Sequence, residues 1–422
     1  MAGLNIPIGS PLAAKVFGVA VFAGVQSKQN FLNLMSGGAP QLGDAGAKIK
    51  GQTSKGYPIV KITDLSKTAG DNVTVDLFNI FTGKPVMGDK RIAGRGMSTT
   101  SSTQGVAINR SRGMSDTGGK MIMKRTKHNL RQVVRDGLTG WASRLNDQRA
   151  LVHLAGARGD QATADWVVPV AADPDFSEIM VNTILAPTKN RQFYAGAASL
   201  PSNIATTDSL TLNDFTRIAS QLRESSVPLQ SCELEDDPNG WNSQLWVCWV
   251  TARQWAYLKR ASQTQWNSAV TNAVKRFDGS KRHPLFTGDS ILWENILIKP
   301  MDRYAVRFNA GTSVTYDTGG TDGGTYTEAQ SVVSQPVDRA ILVGAQALLH
   351  AYGNEETSDY FYSWNEELVD HKSAVEVSLS MMDGLAKTRF RINNIDTDHG
   401  VVAIDSYAPD LATAAGRTLL AS

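Results

Sequence analysis

"GDNVTVDLFNIFTGKPVMGDKRIAGRGMSTTSSTQG", residues 70–105, opens as a half-buried strand and ends as a glycine-punctuated, basic, Ser/Thr-rich ribbon with almost nothing to bury. Val73, Val75 and Leu77 alternate with Thr74 and Asp76 on the way out, and Val106 and Ile108 alternate on the way back. This pattern predicts a long hairpin, followed by a turn at "GMSDTGG", residues 113–119. Each arm holds about 20 residues and at ~3.3 Å per residue reaches up to roughly 66 Å, at least the diameter of a globular domain. Two strands alone in water are marginal, and "GMSTTSSTQG", residues 96–105, offers only Met97 for burial. A surface loop of this length is disordered or functional, and its fixing contacts then come from another molecule.

The rest of the chain bounds what that molecule is. With 422 residues it exceeds what one hydrophobic core organises, so two or more subdomains are expected. Apolar content of 41% with 19% charged residues is that of a globular protein, and a net charge of +2 argues against a dedicated nucleic-acid binder. There are two cysteines, and Cys248 in "LWVCWV" reads as a small hydrophobe, which fits a reducing compartment. In "SPLAAKVFGVAVFAGV", residues 10–25, the uninterrupted apolar part from Val16 to Val25 is far short of the roughly 20 residues a bilayer needs. Residues 1–14 carry no positive charge, so a signal peptide is not expected either. The segment reads instead as an amphipathic arm helix continuing through Phe31, Leu32 and Leu34 to Gly37 and Gly38.

Charge is segregated. Residues 84–135 hold twelve Lys or Arg against Asp89 and Asp116, a local charge of +10, which leaves −8 for the remainder. The opposite pole is "EETSDYFYSWNEELVD", residues 355–370, with six acids and no base. A solvated face is the ordinary reading of either run; the sharper one is that they meet, and the projecting shape of the basic segment places that meeting between copies.

After the hairpin, Leu130, Val134, Leu138, Trp141, Leu145 and Val152 recur at helical intervals and predict one helix from about Thr126 to Ala155. Arg131, Arg135, Arg144 and Arg149 fall off that stripe, free for partners or solvent. The middle reads as mixed α and β. Thr211 and Asp214 form a capping box ahead of Phe215, Ile218 and Leu222, and a buried strand from Leu245 to Val250 leads to Thr251 as the N-cap of a helix bearing Trp255. Four tryptophans there, at 241, 246, 249 and 255, interrupt an apolar strand and read as core instead of base-stacking platforms. "DTGGTDGGT" from Asp317 reads as a flexible loop. The C-terminal part predicts a three-stranded meander: "AVEVSLSM", a turn at Asp383-Gly384, "TRFRINNI", a turn at "DTDHG", and "VVAIDSY".

Chemical motifs are scarce. No phosphate-cradling, dinucleotide, HExxH, CxxC or GxSxG pattern occurs, and the six histidines, at 128, 153, 283, 350, 371 and 399, never recur at ligand spacing. No cofactor or metal is implied. Strong salt-dependent affinity would mark a nucleic-acid-binding protein using the +10 segment, and turnover would mark a hydrolase with dispersed residues.

The order of parts, from arm through basic hairpin, long helix and compact α/β region to returning strands, resembles the Hong Kong 97-type fold of tailed-bacteriophage major capsid proteins. "ITDLSKTAGDNVTVDLFN", "GDKRIAGRGMSTT" and "APTKNRQFYAG" (186–196) are similar to stretches of a podovirus-like capsid subfamily. The tip departs from some relatives, which carry an acidic stretch where this chain has Arg95, Gly96 and Met97. The resemblance implies an α+β fold with an N-arm at 1–60, an extended E-loop at about 70–120, a P-domain from 121–225 and 350–422, and an A-domain at 226–349. It implies identical subunits in hexamers and pentamers, a separate scaffolding protein, a portal, packaged double-stranded DNA, a possible decoration protein, and assembly in the bacterial host cytoplasm. Intersubunit contacts would come from Lys84, Lys90, Arg91, Arg95, Arg110 and Arg112, facing acids such as Glu355, Glu356, Asp359, Glu366 and Glu367. A cargo-enclosing bacterial nanocompartment shares the fold and is the alternative.

Overall fold

The computed structural model describes residues 8–26, 31–37, 56–65, 71–78, 84–96, 101–119, 125, 129–233, 244–276, 285, 289–353, 361–392 and 394–421. Its organising element is the helix Leu130–Ala155, 26 residues and so roughly 39 Å long. Residues 126–128, where the sequence placed the first turn, lie outside the described residues. Leu138, Ala142 and Leu145 are buried and Val134 and Trp141 pack beside them, in one cluster with Val21 and Val25 of the arm and Val377, Leu379 and Met381 of a sheet. Leu130, at the start of the stripe, is only half-buried. The helix stops at Gly156, whose φ of 66° and amide bonds to the Val152 and His153 carbonyls form a left-handed cap. A Cβ there would collide with the Leu185 carbonyl.

The four arginines off the stripe correct the expectation that they are free. Arg149 is sealed in the core against Asp383, and Arg131 forms a two-pronged pair with Glu366. Arg135 and Arg144 make solvent-side pairs with Asp136 and Asp165.

The long helix lies on a five-stranded sheet built around the strand Ala374–Lys387. One edge of that strand pairs antiparallel with Tyr362–Val369 and then Leu348–Gly353, the other with Asn109–Gly119, and Ile59–Leu65 adds parallel to Leu348–Gly353. Two predicted turns are therefore strand. "GMSDTGG" pairs with residues 374–379, and its glycine at 113 is explained by the Trp141 ring, which lies 2.9 Å from where a Cβ would stand. Asp383-Gly384 sits mid-strand, and a side chain on Gly384 would overlap the Ala107 carbonyl. Gly113→Val should therefore lower stability by about 1–3 kcal/mol through overpacking against Trp141, read as a lower urea midpoint at unchanged m-value.

The predicted C-terminal meander is also corrected. Arg389–Ile392 and Ile395–Asp398 form a separate small hairpin, and Val401–Tyr407 joins a different sheet. That seven-stranded sheet runs Gln192–Tyr194, Val401–Tyr407, Val337–Val343, Trp246–Thr251, Ile296–Met301 and Ile291–Trp293, with Val306–Phe308 also paired to Val337–Val343. Its central strands are buried on both faces: Val247, Trp249, Ile341 and Val343 face one cluster, while Trp246, Cys248, Val250 and Leu342 face the helices Leu212–Glu224, Ala252–Ala261 and Gln263–Arg276. The boxes read from sequence form, Thr211 with Asp214 and Thr251 with Gln254. Trp246 and Trp249 are core, as expected; Trp241 lies outside the described residues.

The arm forms the helices Pro11–Gln26 and Phe31–Leu34. Phe17 packs 5.6 Å from Trp364, Phe22 lies 6.0 Å from Tyr362, and the Leu32 amide donates to Asp147 at 3.0 Å, so the arm is laid along the long helix and its sheet. No described helix is long and apolar enough to cross a membrane. "DTGGTDGGT" is held by Asp317 and Asp322, whose carboxylates accept the amides of Gly319, Thr327, Gly324 and Thr325.

Candidate functional site

The opening hairpin forms with the predicted parity: Asn72–Phe78 pairs antiparallel with Ser101–Ala107, and Val73 faces Val106. Its regular part is seven pairs, about 23 Å of strand and so shorter than the expected reach. The root is bolted to the body. Val73 and Val106 pack with Val60, Ile62, Leu349, Ala351 and Ala386, and Asn182 donates to the carbonyls of Ala107 and Leu385 at 2.9 and 3.0 Å. Gln104 bridges likewise, donating to the Lys387 carbonyl at 2.7 Å and accepting from the Arg389 amide at 3.1 Å.

Beyond the root the described tip, residues 84–96, has no such support. Lys84, Lys90, Arg91 and Arg95 are exposed, together with Met87 at 69% and Ile92 at 73%. No atom lies within 4 Å of where a Cβ on Gly88, Gly94 or Gly96 would stand. The described tip thus presents an exposed apolar pair among four exposed cations.

Arg110 and Arg112 stand apart from this tip, on the outer face of Asn109–Gly119, which turns away from the long helix. Among the expected acids, Glu366 is the correction. It faces inward with Tyr362 and Trp364, buried, accepting from Arg131 Nε and Nη2 at 2.5 Å, from Trp364 Nε1 at 3.1 Å and from the Gly9 amide at 3.2 Å. It ties arm, helix and sheet within one chain and is unavailable to a neighbour. Glu367, one residue on, is exposed on the outer face; Glu355, Glu356 and Asp359 lie outside the described residues. Register shows what the sequence reading missed: Asp116, Glu376 and Glu367 are opposed across three strands on that outer face, and no described cation pairs with them. Like charges in direct opposition repel, which favours an incoming cation.

Buried charge fixes the base of this apparatus. Lys61 lies opposite His350 on the strand leading to the hairpin; His350 Nε2 is 3.0 Å from Asp383 Oδ2, and Arg149 Nη2 is 2.5 Å from the same oxygen. Burial alone would raise the Asp383 carboxyl, but Arg149 and His350 outweigh it and hold it down at about 2. Burial lowers His350, with Asp383 opposing, and brings Lys61 down to about 8. Similar buried hubs join Arg339 to Asp405 at 2.7 Å, Arg307 to Asp338 at 2.7 Å, and Lys387 and Arg389 to Asp398 at 2.8 and 2.7 Å. Each joins opposite charges at ion-pair distance, the condition under which charge is kept in a protein core.

The sequence profile of the family described as phage capsid protein matches residues 5–410. No curated protein matches the chain. Among solved structures, the capsid of Ralstonia phage GP4 shares 26% identity at a TM-score of 0.68, over 85% of this chain and 90% of that one. The Cyanophage Pam1 capsid asymmetric unit shares 18% identity at a TM-score of 0.56, over 84% and 90%. The acidic stable capsid structure of Helicobacter pylori bacteriophage KHP30 shares 12% at a TM-score of 0.56, over 90% and 98%. The last two carry the fold alone, and it is the capsid fold expected from the order of parts. With a family match across nearly its whole length, the chain belongs to the phage capsid protein family and is a major capsid protein of the phage head shell.

Proposed function

We propose that the shell is an icosahedral lattice of hexamers and pentamers of this chain, and that each hairpin tip crosses to a neighbouring copy. The observation that carries this reading is the unsupported tip, where Met87 and Ile92 are exposed among Lys84, Lys90, Arg91 and Arg95 while the hairpin's root is firmly packed. A closed symmetric assembly gives every copy an identical neighbour to receive it. Exposed Glu367 and Asp116, with half-buried Glu376 between them in the same row, supply acids on the receiving sheet. Single exposed ion pairs contribute about 0–1 kcal/mol, so the charges orient the tip while apolar burial, at about 25 cal/mol per Å², does most of the holding. Many weak contacts per subunit then act together once the shell closes.

In this reading residues 1–60 are the N-arm, about 70–120 the E-loop, 121–225 with 350–422 the P-domain and 226–349 the A-domain. Gln192–Tyr194 and Val401–Tyr407 sit in the same sheet as Trp246–Thr251, so strands from both regions share one sheet. The shell would be assembled in the bacterial host cytoplasm with a separate scaffolding protein, carry a portal, enclose double-stranded DNA and accept a decoration protein outside.

Reversing Lys90, Arg91 and Arg95 together to glutamate is expected to give soluble, folded subunits that fail to close shells. Size-exclusion chromatography and negative-stain microscopy read the outcome; normal megadalton particles from the triple variant would refute the tip's role.

A further inference from the structure

We propose that Arg191, Thr388 and His399 form a binding site for a small inorganic anion of chloride size. The small hairpin Arg389–Ile392/Ile395–Asp398 continues by one more pair, because the His399 amide donates to the Thr388 carbonyl at 3.0 Å. Opposed residues of an antiparallel pair send their side chains to one face, so Thr388 and His399 stand side by side. Phe390, next along that face, packs with its ring centroid 4.7 Å from the imidazole at a tilt of 46°. Arg191 comes in from the short helix Lys189–Arg191: its Nε donates to the Asp398 carbonyl at 3.1 Å, one residue before His399, and its Nη2 to the Val227 carbonyl at 2.7 Å.

At this junction Arg191 Nη1, Thr388 Oγ1 and both ring nitrogens of His399 are shielded from solvent and find no protein partner. A guanidinium N–H, a hydroxyl and an imidazole N–H are all donors, and buried donors in native proteins almost always have an acceptor. An acceptor-only species satisfies all three. Charge points the same way. Lys387 and Arg389 take the Asp398 carboxylate from the hairpin's other face, and Arg191 takes only its main-chain carbonyl, so three cations surround one carboxylate. A monoanion beside Arg191 reduces that surplus. Burial, and then Arg191, hold the imidazole down at about 4, so near neutral pH it is uncharged and supplies one N–H. A metal cation is the wrong class for this donor set, and no described group of three His, Cys, Asp or Glu could hold one.

Thermal unfolding of the purified full-length protein, with sodium gluconate exchanged for sodium chloride at fixed ionic strength, reads the site. Tm is expected to rise by several degrees and to saturate with chloride. Thr388→Val and His399→Phe keep shape, the latter also keeping an aromatic ring against Phe390, and should abolish that dependence. A hydroxyl buried without a ligand predicts the opposite, since Thr388→Val would then stabilise equally in both salts; that result, with a Tm indifferent to chloride, overturns the site. The wild-type imidazole provides an independent reading by NMR: the His399 pKa should climb as chloride replaces gluconate, and an unmoved titration counts against the proposal.

Discussion

Subunits carrying Asp383→Leu are expected to lose about 3–5 kcal/mol of stability, the cost of removing one partner from a buried ion cluster. Arg149 on the long helix and His350 on Leu348–Gly353 converge on this carboxylate, Lys61 on Ile59–Leu65 stands opposite His350, and Arg149 and Asp383 are both essentially sealed from water. Without Asp383 a guanidinium stays buried with only Asn146 Oδ1 to receive it, at 2.7 Å. Adding Arg149→Met should return much of the loss, because a hydrophobic pair of similar volume replaces a buried ion pair at little cost. Urea unfolding of unassembled subunits measures both variants; an Asp383→Leu unfolding free energy within about 1 kcal/mol of wild type contradicts the argument. Lys61 lies opposite His350 on the strand entering the hairpin, and Val60 and Ile62, its sequence neighbours, pack under Val73 and Val106, so the loss reaches the hairpin's root.

Asp383 also shows where sequence reading stops. Asp-Gly between alternating residues is a turn signal from local chemistry alone. Here each half of the dipeptide answers a distant demand instead, the aspartate to Arg149, 234 positions away, and the glycine to the Ala107 carbonyl. Arg149 is illegible for the same reason: nothing nearby in sequence says that the polar side of the helix stripe will be covered. The glycines of "GMSDTGG" mislead similarly, since Gly113 exists for the Trp141 ring and not for a turn. What was legible depended on short-range periodicity: the hairpin's parity at Val73 and Val106, the stripe at Leu138 and Leu145, the boxes at Thr211 and Thr251. Glu366 belongs between these cases. Its parity with Tyr362 and Trp364 puts it on the buried face, a period-two signal inside an acidic run that charge counting hides.

Acid should undo the subunit well before its carboxylates titrate. Burial pushes His153, whose Nε2 lies 3.3 Å from the Met180 carbonyl, down to about 4, and burial with Arg191 does the same for His399. Between pH 6.5 and 4 the unfolded chain therefore binds more protons than the folded one, and stability falls as pH falls, by roughly 3 kcal/mol for each histidine at 1.36 kcal/mol per unit. His350 is lowered by burial and acts in the same direction, and Asp383, held down at about 2, adds its loss only below about pH 4. The expected result is a urea midpoint that drops steadily from pH 7 to pH 4 in unassembled subunits. His153→Gln, which can still donate to Met180, should flatten the slope, and a midpoint that holds or rises towards pH 4 would sink the account. Contacts between copies bind only the folded state, so by mass action assembled shells should survive to lower pH than free subunits. The displacement between the two acid transitions then measures how much the lattice adds, and the triple tip variant, lacking that lattice, should follow the free-subunit curve.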